Sequence, residues 1–326
     1  MNSKTAFRNT FKLMNGERPV FVPFVYGLAA RLGQIPLQEM TADASYYTHL
    51  LEDACELFGY DGIVNNYDAT IEAEVFDCEI EWPDDYNAPR ITGCSQVELR
   101  EINPEESSRI QVLLETTKRT VMSKGKDVAI IGVLTGPCSL VKTLTDDKGG
   151  DTGSAIAAVG GFITKLVKSL CELRVDGIFF REDPLNSGYR EVLLANSKPY
   201  TDTYATLFNM VKHYNGFPAL IVRNMEPGFI TELYEMTKPS GLILLGRKVS
   251  NYDMAYLQKL ADSLKIAFGL PLQTGKQAEL MEQYAVIGQF VSEHKPTGFF
   301  YVSDGEIPSD TPAEVLHGLI SEMQGT

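Results

Sequence analysis

The sequence is short of the residues that most often bind metals. It carries 4 histidines and 5 cysteines in 326 residues. Cys55, Cys78, Cys94, Cys138 and Cys171 are scattered singly, with no C-x-x-C and no H-x-C. An odd count without a framework is expected of unbridged thiols in a reducing compartment. His49, His213, His294 and His317 lie at no expected strand end, so a His/Cys zinc site is not expected. A purely carboxylate site for a harder ion stays open. No local Ser-His-Asp or Cys-His signature is present either. No apolar stretch approaches the ~20 residues of a membrane span. The N-terminus, MNSKTAFRNTFKLMNGERP, has no apolar signal core. A cytoplasmic protein without a membrane partner is expected. Positive charge is also scarce: 29 Lys and Arg face 43 Asp and Glu, a net charge of -14. Such a surface repels phosphate backbones, which argues against nucleic acid. Neither G-x-G-x-x-G nor a Walker loop occurs, which removes the usual mark of an open doubly wound sheet.

What is present is an alternation of β-rich runs with helical periodicity. The runs are Val20 to Val25, Gly62 to Val64, Val128 to Leu134, Gly177 to Phe180, Ala219 to Val222, Leu242 to Leu245, Ile266 to Leu270 and Gly298 to Val302. Between them, Ile110, Leu113, Leu114, Thr117 and Val121 share one helical face, and Val159, Phe162, Ile163, Leu166, Val167 and Leu170 another. Asn103-Pro104-Glu105 reads as a helix start, and Thr311-Pro312-Ala313-Glu314 as a capping box. Eight strand-helix units point to an α/β chain folded as a single (β/α)8 TIM barrel over residues 1–326. Two stretches interrupt the alternation. Residues 78–102 read as a hairpin excursion after the second strand. Residues 145–154 are polar and Gly-rich, a solvated loop or a lid.

In such a barrel the site lies at the carboxyl ends of the strands. Reading the residues there yields Tyr26, Asn65, Tyr67, Asp68, Thr135, Glu182, Asp183, Arg223, Asn224, Arg247, Asp304 and Glu306. Carboxylic acids converging in a partly dry mouth can hold their protons and donate them. Arginines there can hold an anionic or aromatic substrate. Each has a plainer role. Asp68 can cap the following turn, Arg223 can pair with a neighbouring acid, and Asp304 and Glu306 can occupy a solvated turn. Only one of Glu182 and Asp183 can face inward from an extended backbone.

Over nearly the whole chain these residues resemble the uroporphyrinogen-decarboxylase-like superfamily of (β/α)8 barrels. Gly16 to Pro23 is similar to its opening strand, and Asp61-Gly62-Ile63 with Asp68 and Glu72-Ala73-Glu74 to its second strand and turn. Leu134-Thr135-Gly136-Pro137-Cys138-Ser139-Leu140 resembles its G-P-x-[ST]-L segment, and Asp183-Pro184 the end of its fourth strand. Ser303 to Pro312 (SDGEIPSDTP) resembles its C-terminal G-C-x-[IV]-P-x-D-T-P. The decarboxylase's catalytic aspartate aligns with Asp68. Its Arg-rich M-R-Q-A-G-R-Y motif is replaced by Pro23 to Arg31 with one arginine, and its tyrosine by Thr143. The H-x-C of the thiol-alkylating methyltransferases is replaced by Val222-Arg223-Asn224, and the G-C pair by Asp304-Gly305.

The resemblance implies a corrinoid-dependent methyltransferase akin to component I of O-demethylase systems. Such an enzyme moves a methyl group from a small donor, foremost a methoxylated aromatic, to the cobalt of a corrinoid (cobalamin) carried by a partner protein that docks over the barrel mouth. No zinc is expected. Asp68 and Glu182 are the expected catalytic acids. Tyr26, Tyr67, Asp183, Arg223, Asn224, Asp304 and Glu306 are the expected substrate-binding groups, with a role as second acids open to Asp304 and Glu306. A homo-oligomer is compatible with this reading. The alternatives are a decarboxylase of a tetrapyrrole acid, with Asp68 facing a protonated ring nitrogen, and a non-catalytic corrinoid or tetrapyrrole binder.

Overall fold

The computed structural model describes all residues except 15, 17, 95–101, 146–151, 183–190, 192–193, 247–252, 275–276, 295–296 and 325–326. Eight parallel strands form the central sheet: β1 (Phe21–Phe24), β2 (Gly62–Val64), β5 (Ala129–Thr135), β6 (Gly177–Glu182), β7 (Phe217–Arg223), β8 (Gly241–Leu245), β9 (Ala267–Leu272) and β10 (Phe299–Glu306). Their order is β1-β10-β9-β8-β7-β6-β5-β2. All eight coincide with the apolar runs of the sequence, because a strand covered on both faces must be apolar along its length. β1 and β2 close the ring through Asp61. Its N–H donates to the Phe21 carbonyl at 2.9 Å, and its carboxylate accepts the Phe21 N–H at 2.9 Å. Arg18 holds that carboxylate from below.

The amino end of the barrel is plugged by α1 (Ser3–Phe11). Phe7 and Phe11 stack among Phe179, Phe217 and Phe300, with Phe11 and Phe217 centroids 5.0 Å apart. Aromatic filling at this end leaves only the opposite mouth for polar side chains. Around the sheet run α2 (Gly27–Leu32), α3 (Leu37–Ala42), α4 (Ala44–Phe58), α5 (Ile71–Glu74), α6 (Ser108–Lys124), α7 (Pro137–Thr145) and α8 (Thr152–Glu172). They are followed by α9 (Ser197–His213), α10 (Ile230–Thr237), α11 (Met254–Leu264), α12 (Gln277–His294) and α13 (Ala313–Gln324).

The excursion is an antiparallel hairpin, β3 (Cys78–Glu81) and β4 (Arg90–Cys94), as expected. One expectation about it fails. Cys78 and Cys94 face each other at its open end and are joined as a disulfide, while Cys55, Cys138 and Cys171 are buried and outside any disulfide. Sequence spacing alone cannot show that two cysteines 16 residues apart lie opposite each other across a ladder. A second correction concerns α8, which is long and apolar enough to cross a membrane by length and composition. Its apolar stripe is buried in the fold, and Phe162 meets Phe76 edge-on at 5.2 Å, as in the core helix of a globular chain. Two helix starts also differ. Asn103 caps only the 3-10 turn Pro104–Glu106, and Ser107 is the N-cap of α6. The Thr311 hydroxyl is buried without a hydrogen-bond partner, so it takes no part in a capping box. The 145–154 segment lies largely outside the described residues.

Candidate active site at the barrel mouth

Parallel register fixes which side chains face the lumen, since residues paired across the ladder share a face. Thr135 of β5 pairs with Arg181 of β6, and Arg181 Nη2 lies 3.5 Å from Thr135 Oγ1. Arg181 is 7% exposed. It also donates to the Tyr67 carbonyl at 3.1 Å and lies 5.2 Å from the Tyr67 ring centroid. The Tyr67 ring also meets Phe24, with centroids 4.6 Å apart. Glu72, brought in by α5, is fully buried and accepts the Thr135 N–H at 2.9 Å and the Thr135 hydroxyl at 2.8 Å. Burial pushes its carboxyl above the ordinary range against those hydrogen bonds.

The far side of the mouth comes from β7 and β10. Arg223 Nη1 stands 3.6 Å from Asp304 Oδ1, and the same oxygen accepts the Gly246 N–H at 2.7 Å. Between Asp304 and Glu306 the chain turns through Gly305 at φ +92°. A Cβ there would come within 2.9 Å of Arg223 Nη2 and 3.6 Å of the Tyr67 hydroxyl. This close approach needs glycine twice over, for its dihedral and for its missing side chain. Glu306 accepts the Gly27 N–H at 2.7 Å, at the start of α2. Burial pushes the Glu306 carboxyl up to about 7, with Asp68 adding to the push and Gly27 and Arg181 opposing it. The mouth therefore gathers two guanidiniums, a phenol and an acid whose carboxyl is pushed up by burial.

Of the expected residues, the structure brings Tyr67, Arg223, Asp304 and Glu306 together and directs others elsewhere. Glu182, one residue past Arg181, faces the opposite way, into the helix layer. There it accepts the Cys138 N–H at 3.1 Å and the Ser139 N–H at 2.8 Å at the start of α7, plus the Ser139 hydroxyl and the Tyr204 phenol. It caps a helix from a neighbouring strand and does not reach the lumen. Burial nonetheless raises its carboxyl to about 7. Asp68 is buried with both oxygens engaged. Oδ1 accepts the Thr70 N–H and hydroxyl at 2.7 and 2.8 Å, and Oδ2 pairs with Arg109. Arg109 also holds Glu74 at 2.8 Å and faces the Trp82 ring at 5.3 Å. Asp68 thus organises the turn instead of presenting a free acid.

Tyr26 is buried at the start of α2, its ring 6.1 Å from Tyr47. Asn224 is exposed, adopts φ +53° and shapes the turn after β7. Asn65 bridges Thr117 of α6 and the Val133 N–H, outside the lumen. Asp183 and Arg247 lie outside the described residues. The residue missed was Arg181. Its signal was available: a cation directly after the apolar run Gly177–Phe180, on the same side as Phe179 by period-two alternation.

A zinc-thiolate ligand set does not fit this mouth. At the two aligned segments stand Val222, Arg223, Asn224, Asp304 and Gly305, of which only Asp304 is an ordinary metal ligand. His49, His213 and His317 are exposed on the outer helices. Among the described residues no three His, Cys, Asp or Glu converge on one point.

A family model described as uroporphyrinogen decarboxylase (URO-D) matches residues 6–178, more than half of the chain. The chain belongs to the uroporphyrinogen decarboxylase (URO-D) family. Within the reach of this URO-D chain's sequence, methylcobamide:CoM methyltransferase MtbA of Methanosarcina mazei is 28% identical over 114 residues, 33% of this chain. The match spans about a third (34%) of that relative's length. A methyltransferase structure from Methanosarcina mazei superposes with a TM-score of 0.78 at 15% identity, covering 100% of this chain and 99% of that one. A B12-independent methionine synthase from Shewanella sp. W3-18-1 follows at 0.55 and 15%, covering 86% of each chain. At these identities the superpositions establish the barrel fold.

Proposed function

We propose that this URO-D family chain is a methyltransferase that takes a methyl group from a small methylated donor, a methoxylated aromatic in the first instance. The acceptor is the cobalt of a corrinoid carried by a partner protein docked over the mouth. The observation that carries this reading is Glu306, a carboxyl held by the Gly27 N–H at 2.7 Å and pushed up by burial, in the rim where Gly305 lies beside Arg223 and Tyr67. An aryl methyl ether is a poor electrophile because phenoxide leaves poorly. The cobalt nucleophile supplies the electron pair for the new carbon–cobalt bond, the carbon–oxygen pair goes to the aryl oxygen, and a proton must reach that oxygen. In this reading Glu306 donates it. Arg223 and the Tyr67 hydroxyl orient the donor and stabilise the developing phenolate. Arg181 fixes the Tyr67 ring by its contact with the ring face and carbonyl.

Glu306 thereby replaces Asp68 and Glu182 in the acid role, and Asp68 becomes a support for the turn. The same pairing of Asp68 with Thr70 and Arg109 weighs against the decarboxylase reading, which needs that carboxylate to face a ring nitrogen. Location in the cytoplasm and action as one barrel domain over residues 1–326 are part of the proposal. The test is a corrinoid-coupled demethylation assay with methoxylated aromatics and methylamines, followed by the absorbance change of the corrinoid. Methyl transfer from a methoxylated aromatic supports the reading; no transfer from any donor contradicts it.

A further inference from the structure

The hairpin bears on the candidate site from two directions. At its tip, the Tyr86 carbonyl sits so close to Gly27 that a Cβ on Gly27 would lie 2.0 Å from it. Gly27 is the residue whose N–H holds Glu306. Beside it, the Leu37 N–H donates to the Asp85 carbonyl at 2.6 Å, fastening the tip to α3. Lower down, Trp82 faces Arg109, which holds Asp68 and Glu74. A hairpin of four- and five-residue strands is marginal by itself. What ties its open end is the Cys78–Cys94 bond. Cys78 is buried, and Cys94 is partly exposed. The three other cysteines are buried and unbridged.

We propose that Cys78 and Cys94 form a reversible redox clasp that decides whether the hairpin is seated on Gly27 and Arg109. The clasp regulates the site assigned above, so its bearing on catalysis rests on that reading. The reductant is a dithiol. Its thiolate attacks the sulfur of Cys94, the less buried of the two cysteines, the bond to Cys78 breaks, and Cys78 leaves as a thiolate. The second thiol of the reductant resolves the mixed disulfide. The pair gains two electrons and two protons, and the reductant leaves as a disulfide. With the tie open, the tip is held by the Leu37–Asp85 bond and its packing on Gly27, and a shift of Gly27 carries Glu306 with it through their hydrogen bond. A small misplacement of a catalytic group is enough to slow a reaction by about tenfold or more.

Trp82 is the one tryptophan of the chain, so its fluorescence reports the hairpin seat directly. The full-length protein is equilibrated with oxidised glutathione or with dithiothreitol. Thiols are then counted after denaturation, Trp82 emission is recorded, and methyl transfer is measured. The clasp requires three titratable thiols in the oxidised form and all five in the reduced form. It further requires a reversible shift of Trp82 emission between the two forms and transfer about tenfold slower when reduced. Cys94→Ser and the Cys78→Ser/Cys94→Ser pair are expected to match the reduced form and to ignore the redox buffer. Five thiols after oxidation overturn the proposal, as does identical Trp82 emission in the two forms or equal transfer by both. A chain that transfers no methyl group in either form, yet shows the redox-dependent emission, supports the clasp and removes the methyltransferase reading instead.

Discussion

Arg109 shows how far one side chain can shape this mouth. It joins Asp68, which has no side-chain exposure, to Glu74 and to Trp82 of the hairpin. Replacing it by methionine keeps the aliphatic bulk and leaves the Asp68 carboxylate buried without its cation. Removing one partner of such a pair costs about 3–5 kcal/mol. Arg109→Met is therefore expected to lower the urea unfolding midpoint well below that of the wild type; an unchanged midpoint contradicts the assignment of Asp68 to structure. The residue scale is also where the sequence was hardest to read. Glu182 and Glu306 end their strands and Asp68 lies four residues past β2, so all three are acids at strand carboxyl ends. Their roles differ through contacts that no local pattern encodes: a cation from α6, a helix start from α7, and a backbone N–H from α2.

Among the elements, β6 and α7 form a unit through Glu182. Its carboxyl satisfies two backbone donors of α7 together with the Ser139 and Tyr204 hydroxyls. Glu182→Ala leaves these donors buried and unsatisfied, each at a cost of about 1–3 kcal/mol. The expected result is a strongly lowered unfolding midpoint, with donor KM and kcat little changed at a temperature where the variant is still folded. A specific loss of kcat at full stability would return Glu182 to the catalytic role. At this scale the strands were legible because each is an apolar run, and the hairpin because a Pro/Asp/Asn turn separates its halves. The inward face of β6 was misread: Glu182 was expected in the lumen, where alternation from Phe179 puts Arg181. The disulfide was not legible, since it depends on cross-strand register.

For the whole molecule, barrel topology was legible from the eightfold repeat of strand and helix. The polar mouth followed from topology, which places strand carboxyl ends on one rim. Electrostatics adds a molecule-wide consequence. Glu182 and Glu306 both have carboxyls raised to about 7 by burial, so the folded chain keeps protons that the unfolded chain releases. Their contribution to stability is complete below the ordinary carboxylate range. It is lost as pH rises through about 7, and the midpoint in urea is expected to fall between about pH 5 and pH 8. Glu182→Gln removes one of the two groups and is expected to flatten that slope; a midpoint that rises over the same interval contradicts the burial of neutral acids.

The central claim is that Glu306 delivers the proton in methyl transfer. The most direct measurement is the pH dependence of kcat/KM for wild type and Glu306→Gln, with a methoxylated aromatic donor and the corrinoid partner. The wild type is expected to lose activity as pH rises through about 7, where the acid form of Glu306 disappears. Glu306→Gln is expected to be slower by about 100-fold or more and to lack that limb. A variant with wild-type rate, or one that keeps the limb near 7, contradicts the account.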